Sequence, residues 1–177
     1  NRFCIIGRIH EHRNLPVALK LFCKLYALVP DAHLDIIGPD AGALSDVKAV
    51  ITSLGINDAV TIYNRVSPFE ILMLYKRYDF VISTPLSEGM GMSVAEAMSA
   101  GVIPIVGPFG EPVDYCSNGK GFILDSYNDD DLKRMAEKIA QYKSNDLLAQ
   151  MSLLAAKISY AIPPCGITLE SRISEIA

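Results

Sequence analysis

The chain has 177 residues, half of them hydrophobic, with 16 basic and 20 acidic residues and a formal net charge of −4 at pH 7. That length fits one domain with a sizeable core, and the acidic balance argues against a nucleic-acid binder. No apolar run reaches the roughly 18 residues of a membrane span, none reads as a signal peptide, and the four cysteines (Cys4, Cys23, Cys116, Cys165) lack the Cys-x-x-Cys spacing of a zinc site.

Cys4 and Cys23 lie in apolar patterns and read as reduced core thiols, which fits a cytoplasmic protein. The opening Asn-Arg-Phe-Cys-Ile-Ile-Gly runs straight into strand-like sequence without an initiator Met. Residues 1–177 are therefore expected to be one domain of a longer chain, with a further N-terminal domain absent.

Phe3 to Gly7 is a short apolar run ending at glycine, the pattern of a buried parallel strand. A polar loop with Arg8, His10, Glu11, His12 and Arg13 follows. Asn14 is expected to cap the next helix, with Pro16 in its first turn and Leu15, Ala18, Leu19, Phe22, Leu25, Tyr26 and Val29 at helical spacing. His33 to Gly38 predicts a second strand, Leu44 to Leu54 a helix closed by Gly55, and Val60 to Tyr63 a third strand. Ser67-Pro68-Phe69-Glu70 has the form of a capping box with proline at the first helical position, and Val66 and Ile71 have staple spacing.

Asp79 to Ser83 predicts strand four, and Met92 to Ala100 its helix, stopped by Gly101. Val102 to Val106 predicts strand five, although Pro104 is awkward in a central strand unless it lies at an end. Gly107 to Pro112 reads as a rigid loop and Gly121 to Leu124 as a sixth short strand. Asn128 or Asp129 opens a helix to about Tyr142, and Ser144 or Asn145 another through Ile158. Pro163-Pro164 breaks the chain before a short helix over Thr168 to Ala177. Alternating strands and helices predict an α/β, Rossmann-like, doubly wound parallel sheet of about six strands with helices on both faces. In a 3-2-1-4-5-6 order, strands one and four meet at the switch point, where such sheets bind ligands.

The stretch Ser83 to Glu96 leads from strand four into an apolar helix through a loop containing Gly89 and Gly91. Free N–H groups at such a strand-to-helix loop suit an anion. Glu88 and Glu96, eight positions apart, cannot bind phosphate but can accept hydrogen bonds from hydroxyls. Phosphate beside hydroxyl acceptors suggests a nucleotide sugar. Competing readings stand next to these. Ser93-x-x-Glu96 is itself capping-box spacing, Glu88 suits a solvated loop, and Arg8 and Arg13 suit surface ion pairs. Asp129-Asp130-Asp131 suits a helix start better than a metal. His10 and His12 lack a third ligand nearby and suit the phosphate side of the loop, and His33 simply starts a strand. Met90, Met92 and Met98 read as loop and core filling.

Glu88-Gly89-Met90-Gly91-Met92-Ser93-Val94-Ala95-Glu96, Gly7-Arg8 about 80 residues upstream, and Arg13 five positions after Arg8 together resemble the C-terminal, donor-binding domain of GT-B glycosyltransferases. The likeness is greatest to the large retaining family four and its Glu-x7-Glu motif. It runs over nearly the whole chain. It implies a hexosyltransferase that moves a sugar from a nucleotide-diphosphate donor to a saccharide or lipid-linked acceptor, without a cofactor or bound metal. Catalytic roles would fall to Arg8 and Arg13 at the diphosphate and to Glu88 at the donor sugar. Donor contacts would come from Gly7, Gly89, Met90, Gly91 and Met92, from Glu96 at the ribose, and from Arg65 and Val66 near the base. Acceptor binding would belong to the missing N-terminal domain, and the isolated domain would be inactive. The implied setting is the cytoplasm or the cytoplasmic face of a membrane, with peripheral association of the full-length protein left open. The sequence departs from the family at Arg13 (usually Lys), Asn14 (a common Gly), Met90 (usually Phe), the extra residue in Gly101-Val102-Ile103-Pro104 and the altered loop Gly107 to Glu111. A non-catalytic nucleotide-sugar-binding module, or an epimerase or hydrolase of the same architecture, are the alternatives. A dinucleotide dehydrogenase is disfavoured because Gly38-Pro39-Asp40-Ala41-Gly42 is not Gly-x-Gly-x-x-Gly.

Overall fold

A computed structural model of the chain describes residues 1–64, 66–143, 151–152 and 155–156. Arg65, most of the helix expected from Ser144 or Asn145, the Pro163-Pro164 break and the helix expected over Thr168 to Ala177 lie outside the described residues. Met151, Ser152, Ala155 and Ala156, which are described, are helical.

Six strands, β1 (Arg2–Ile6), β2 (His33–Ile37), β3 (Val60–Tyr63), β4 (Phe80–Ser83), β5 (Ile103–Val106) and β6 (Phe122–Ile123), form one sheet in the order β3-β2-β1-β4-β5-β6. Every pairing is parallel. The described helices are α1 (Leu15–Leu28), α2 (Leu44–Ser53), α3 (Pro68–Tyr75), α4 (Met92–Ser99), α5 (Glu111–Cys116) and α6 (Asp129–Lys143).

Because successive strand residues face opposite sides, the apolar runs supply two cores. Phe3, Ile5, Leu34, Ile36, Phe80, Ile82, Ile103 and Ile105 pack with α1, α2 and α6 on one face. Cys4, Ile6, Ile37 and Val81 pack with Tyr75 of α3 and Ala97 of α4 on the other. Phe80 lies at the centre of the first core, stacked on Phe3 at 4.8 Å and tilted against Phe122 at 6.4 Å.

Two expectations need correction, and Pro104 needs accounting for. Asn14 does not cap α1 with its side chain: it is left-handed (φ 48), and its N–H closes a 3-10 turn, Glu11–Arg13, that lies inside the expected polar loop. Asparagine tolerates that conformation better than most residues, which is how it serves where glycine is common. The stretch read as a rigid loop through Pro112 already contains the start of α5. Pro104 does sit in a strand flanked on both sides. The Ile103 N–H points to β4, donating to Asp79, so residue 104 faces the β6 side. Pairing with β6 begins only at Ile105, and the missing N–H costs no ladder bond.

Elsewhere the local signals are realised. Ser67 and Glu70 form the capping box of α3. Asn128 caps α6, its Oδ1 accepting from the Asp131 N–H at 2.8 Å, and Asp129 pairs with Lys24 of α1. His33 starts β2 and sits 3.3 Å from the buried carboxylate of Asp35.

Candidate functional site

The strand order reverses between β1 and β4, and their two carboxyl-end loops form the walls of one crevice. At the first wall the Gly7 N–H donates to the Ile37 carbonyl at 2.9 Å. Gly38 (φ 156) lets the two strand ends close up, because a Cβ there would lie 1.9 Å from the Gly7 oxygen. Arg8 is exposed, whereas Ile9 is buried and bridges to Asp40. The turn Glu11–Arg13 then brings Arg13 back over the strand end. Its Nη2 donates to the Ile6 carbonyl at 2.8 Å and lies 3.4 Å from Ser93 Oγ.

The second wall is the loop after β4, which is tied to the first. The Leu86 N–H donates to the His12 carbonyl at 2.9 Å, and Thr84 Oγ1 donates to the Asn14 carbonyl at 3.3 Å. Glu88 lies on this loop with one oxygen 3.8 Å from Arg13 Nη1 and the other accepting from the Gly89 N–H at 3.2 Å. Gly91 (φ 66) caps α4 in the left-handed region, without a side-chain cap. A Cβ at Gly91 would meet Pro112 at 2.5 Å and the Tyr115 hydroxyl at 2.7 Å. Ser93 is inside the helix and Gly91 is the cap, so the Ser93-x-x-Glu96 spacing is not used as a capping box. The Val94 and Ala95 N–H groups both turn back to the Gly91 carbonyl, at 2.9 and 3.1 Å; those of Met92 and Ser93 precede any intrahelical acceptor, and both residues line the crevice.

The crevice encloses about 670 Å³. Of the residues singled out from sequence, Gly7, Arg8, Arg13, Glu88, Met90, Gly91 and Met92 line it, together with His10, His12, Ser87 and Ser93. Gly89 and Glu96 do not line it. Glu96 is on the exposed face of α4, one turn beyond Met92. Val66 is partly buried and packs against the second core, as Ile71 and Leu74 do. Arg65 is outside the described residues. Among the described residues no group of three His, Cys, Asp or Glu side chains is placed to hold a metal.

Burial lowers the Arg13 pKa; Glu88 and Tyr75 oppose that shift and Arg8 adds to it. A guanidinium stays charged regardless, so the site confines two like charges, one of them largely desolvated. The Tyr75 phenol is pushed up, first by burial and then by Glu96, and its hydroxyl donates to the Ser93 carbonyl at 2.9 Å.

One supporting element escaped the sequence reading. Tyr115 of α5 directs its hydroxyl at the carbonyls of Met90 (3.0 Å) and Gly91 (3.1 Å), and the Glu111 N–H donates to the Gly89 carbonyl at 3.0 Å. Helix α5 thus holds the Glu88 loop from behind. The available signal was Glu111-Pro112, an acid and a proline in a first helical turn.

A family model described as "Glycosyl transferases group 1" matches residues 1–157. Among curated proteins, a GDP-mannose:cellobiosyl-diphosphopolyprenol alpha-mannosyltransferase of Komagataeibacter xylinus is 30% identical over 101 residues, covering 56% of this chain and 26% of that protein. The fold is shared with the pneumococcal O-GlcNAc transferase GtfA in complex with UDP and GlcNAc (TM-score 0.80, 20% identity, 99% of this chain, 34% of that one). It is shared too with the C-terminal domain of a glycosyl transferase group 1 family protein, LpcC, from Francisella tularensis (TM-score 0.76, 18% identity, 90% and 84% coverage). The chain spans about a quarter of the length of the curated relatives it matches. With a six-stranded parallel sheet in the order 3-2-1-4-5-6 and a family match over most of its length, the chain belongs to the group 1 glycosyl transferases and has the fold of a GT-B C-terminal domain.

Proposed function

We propose that this chain is the nucleotide-sugar-binding half of a retaining, metal-independent glycosyltransferase of the family-four type. The observation that carries this is the convergence of Arg8, Arg13, Glu88 and the α4 N-terminus on one crevice at the strand-order switch. Departure of a nucleoside diphosphate builds negative charge on its outer phosphate. Two guanidiniums and a helix N-terminus meet that charge without a metal. Glu88, held beside Arg13, accepts hydroxyl hydrogen bonds from the transferred sugar. Glu96 binds the ribose from the rim of the cleft, and the residues around Val66 border the base. The acceptor, a saccharide or a lipid-linked one, is bound by the remainder of the enzyme. Relatives that use GDP-mannose or were solved with UDP and GlcNAc support the donor class and leave base and sugar to experiment.

A thermal-shift panel of UDP-, GDP- and ADP-sugars on the full-length protein selects the donor, since a ligand at 100 times its dissociation constant adds about 2.7 kcal/mol of stability. With that donor, Arg8→Ala is expected to lower turnover roughly 100- to 1,000-fold, the usual loss of one fixed charge-stabilising group. Unchanged turnover removes Arg8 from the mechanism. Sugar release or inversion at a ring carbon without any acceptor favours the hydrolase or epimerase alternative instead.

A further inference from the structure

His10 and His12 line the crevice beside Arg8 and Arg13, and the donor-site reading gives them only a place on the phosphate side of the loop. Their rings are stacked at 5.4 Å and parallel to within 1°. The His12 backbone N–H donates to Nδ1 of His10 at 3.2 Å. His10 has extended backbone (φ −137, ψ 152) and is the N-cap of the turn Glu11–Arg13. Its imidazole nitrogen does there what a serine or asparagine oxygen does at a helix start, accepting from the second N–H of the turn. At the other end the Asn14 N–H donates to the Glu11 carbonyl at 2.9 Å. The turn so closed carries Arg13 and, through His12, receives the Leu86 N–H from the opposite wall.

We propose that His10 is a positioning residue of the nucleotide-sugar site: its neutral imidazole fixes the turn that aims Arg13 and couples the two walls of the crevice. The role is specific to one protonation state. Nδ1 accepts a hydrogen bond only while it lacks a proton, so a proton on Nδ1 converts the acceptor into a second donor facing the His12 N–H. The charged and titratable surroundings are Arg8 at the end of β1, Glu11, His12 and Arg13 on the turn, Glu88 on the β4 loop and Asp40 on the β2 loop. Asp40 bridges to the neighbouring Ile9 and spends its Oδ1 on the N–H groups of Gly42 and Leu44. Glu88 is engaged with Arg13.

The effect on nucleotide-sugar binding rests on the donor-site reading, whereas the cap itself does not, and two measurements on the full-length protein separate them. Amide hydrogen exchange at His12 and binding of inorganic pyrophosphate by calorimetry are compared for wild type, His10→Asn and His10→Ala under one set of conditions. Asparagine restores the cap. Wild type and His10→Asn should match, while His10→Ala loses about fivefold in His12 protection and in pyrophosphate affinity, a typical cap loss. A His10→Asn protein as impaired as His10→Ala, or a His10→Ala protein that keeps both His12 protection and affinity, overturns the proposal. So does a wild-type affinity well above that of His10→Asn at equal His12 protection, which makes His10 an anion ligand. Pyrophosphate binding that needs Arg8 but ignores His10→Ala defeats the His10 role alone. Binding that is absent in wild type or indifferent to Arg8→Ala defeats the donor-site reading and this role together.

Discussion

Arg13 shows how one side chain both builds a site and equips it. Its Nη2 is committed to the Ile6 carbonyl, with Ser93 Oγ nearby, while Nη1 faces Glu88. A lysine at this position keeps the charge but cannot reach a strand end and a carboxylate with one rigid fork. Arg13→Lys is therefore expected to retain part of the activity that Arg13→Ala loses, with Arg13→Ala down roughly 100-fold or more in steady-state turnover. Equal losses assign Arg13 to geometry alone. Tyr115 belongs at the same scale: Tyr115→Phe removes the hydroxyl from two loop carbonyls and should weaken nucleotide-sugar affinity about fivefold, the worth of one ordinary hydrogen bond. That Arg8, Arg13 and Glu88 line one crevice was legible because loops leaving adjacent strands at a switch point meet there. The left-handed backbone of Asn14 was not, because asparagine suits caps and left-handed turns alike. Tyr115 was hidden because nothing in its own neighbourhood announces a partner 25 residues earlier.

Among the elements, α3 states its own start most fully, with Ser67 and Glu70 exchanging hydrogen bonds at 3.2 and 2.7 Å. Those bonds hold the Glu70 carboxyl below the ordinary value of 4.5. The folded-state value being the lower one, the carboxylate favours the folded form above that ordinary value, and its contribution fades as pH falls through the depressed one. Glu70→Gln preserves the box without the titration, so the acid-side decline in melting temperature should be shallower in the variant. Matching declines would show that the box does not sense pH. The contrast with α5 is instructive. Six residues with only Pro112 and Cys116 buried give too little periodicity to identify a helix, and its importance lies in tertiary contacts with the Glu88 loop.

For the molecule as a whole, strand order was readable because parallel alternation and right-handed crossovers leave few topologies. The two faces followed from alternation within each strand. Phe80, held between Phe3 and Phe122 in the larger core, tests that packing. Phe80→Ala should cost about 3–5 kcal/mol, read as a lower denaturation midpoint at unchanged slope. A cost below about 1 kcal/mol would mean that the surrounding helices collapse freely into the space. Pro104 carries a last consequence. Strand β6 has only two residues, and its ladder with β5 starts at Ile105. Just before it, Pro104 is buried, and a Cβ on Gly121 would lie 2.5 Å from its ring and 2.9 Å from its carbonyl oxygen. The pyrrolidine that looked misplaced in a central strand thus fills the space where β6 joins the sheet, and only a residue without a side chain can be laid against it.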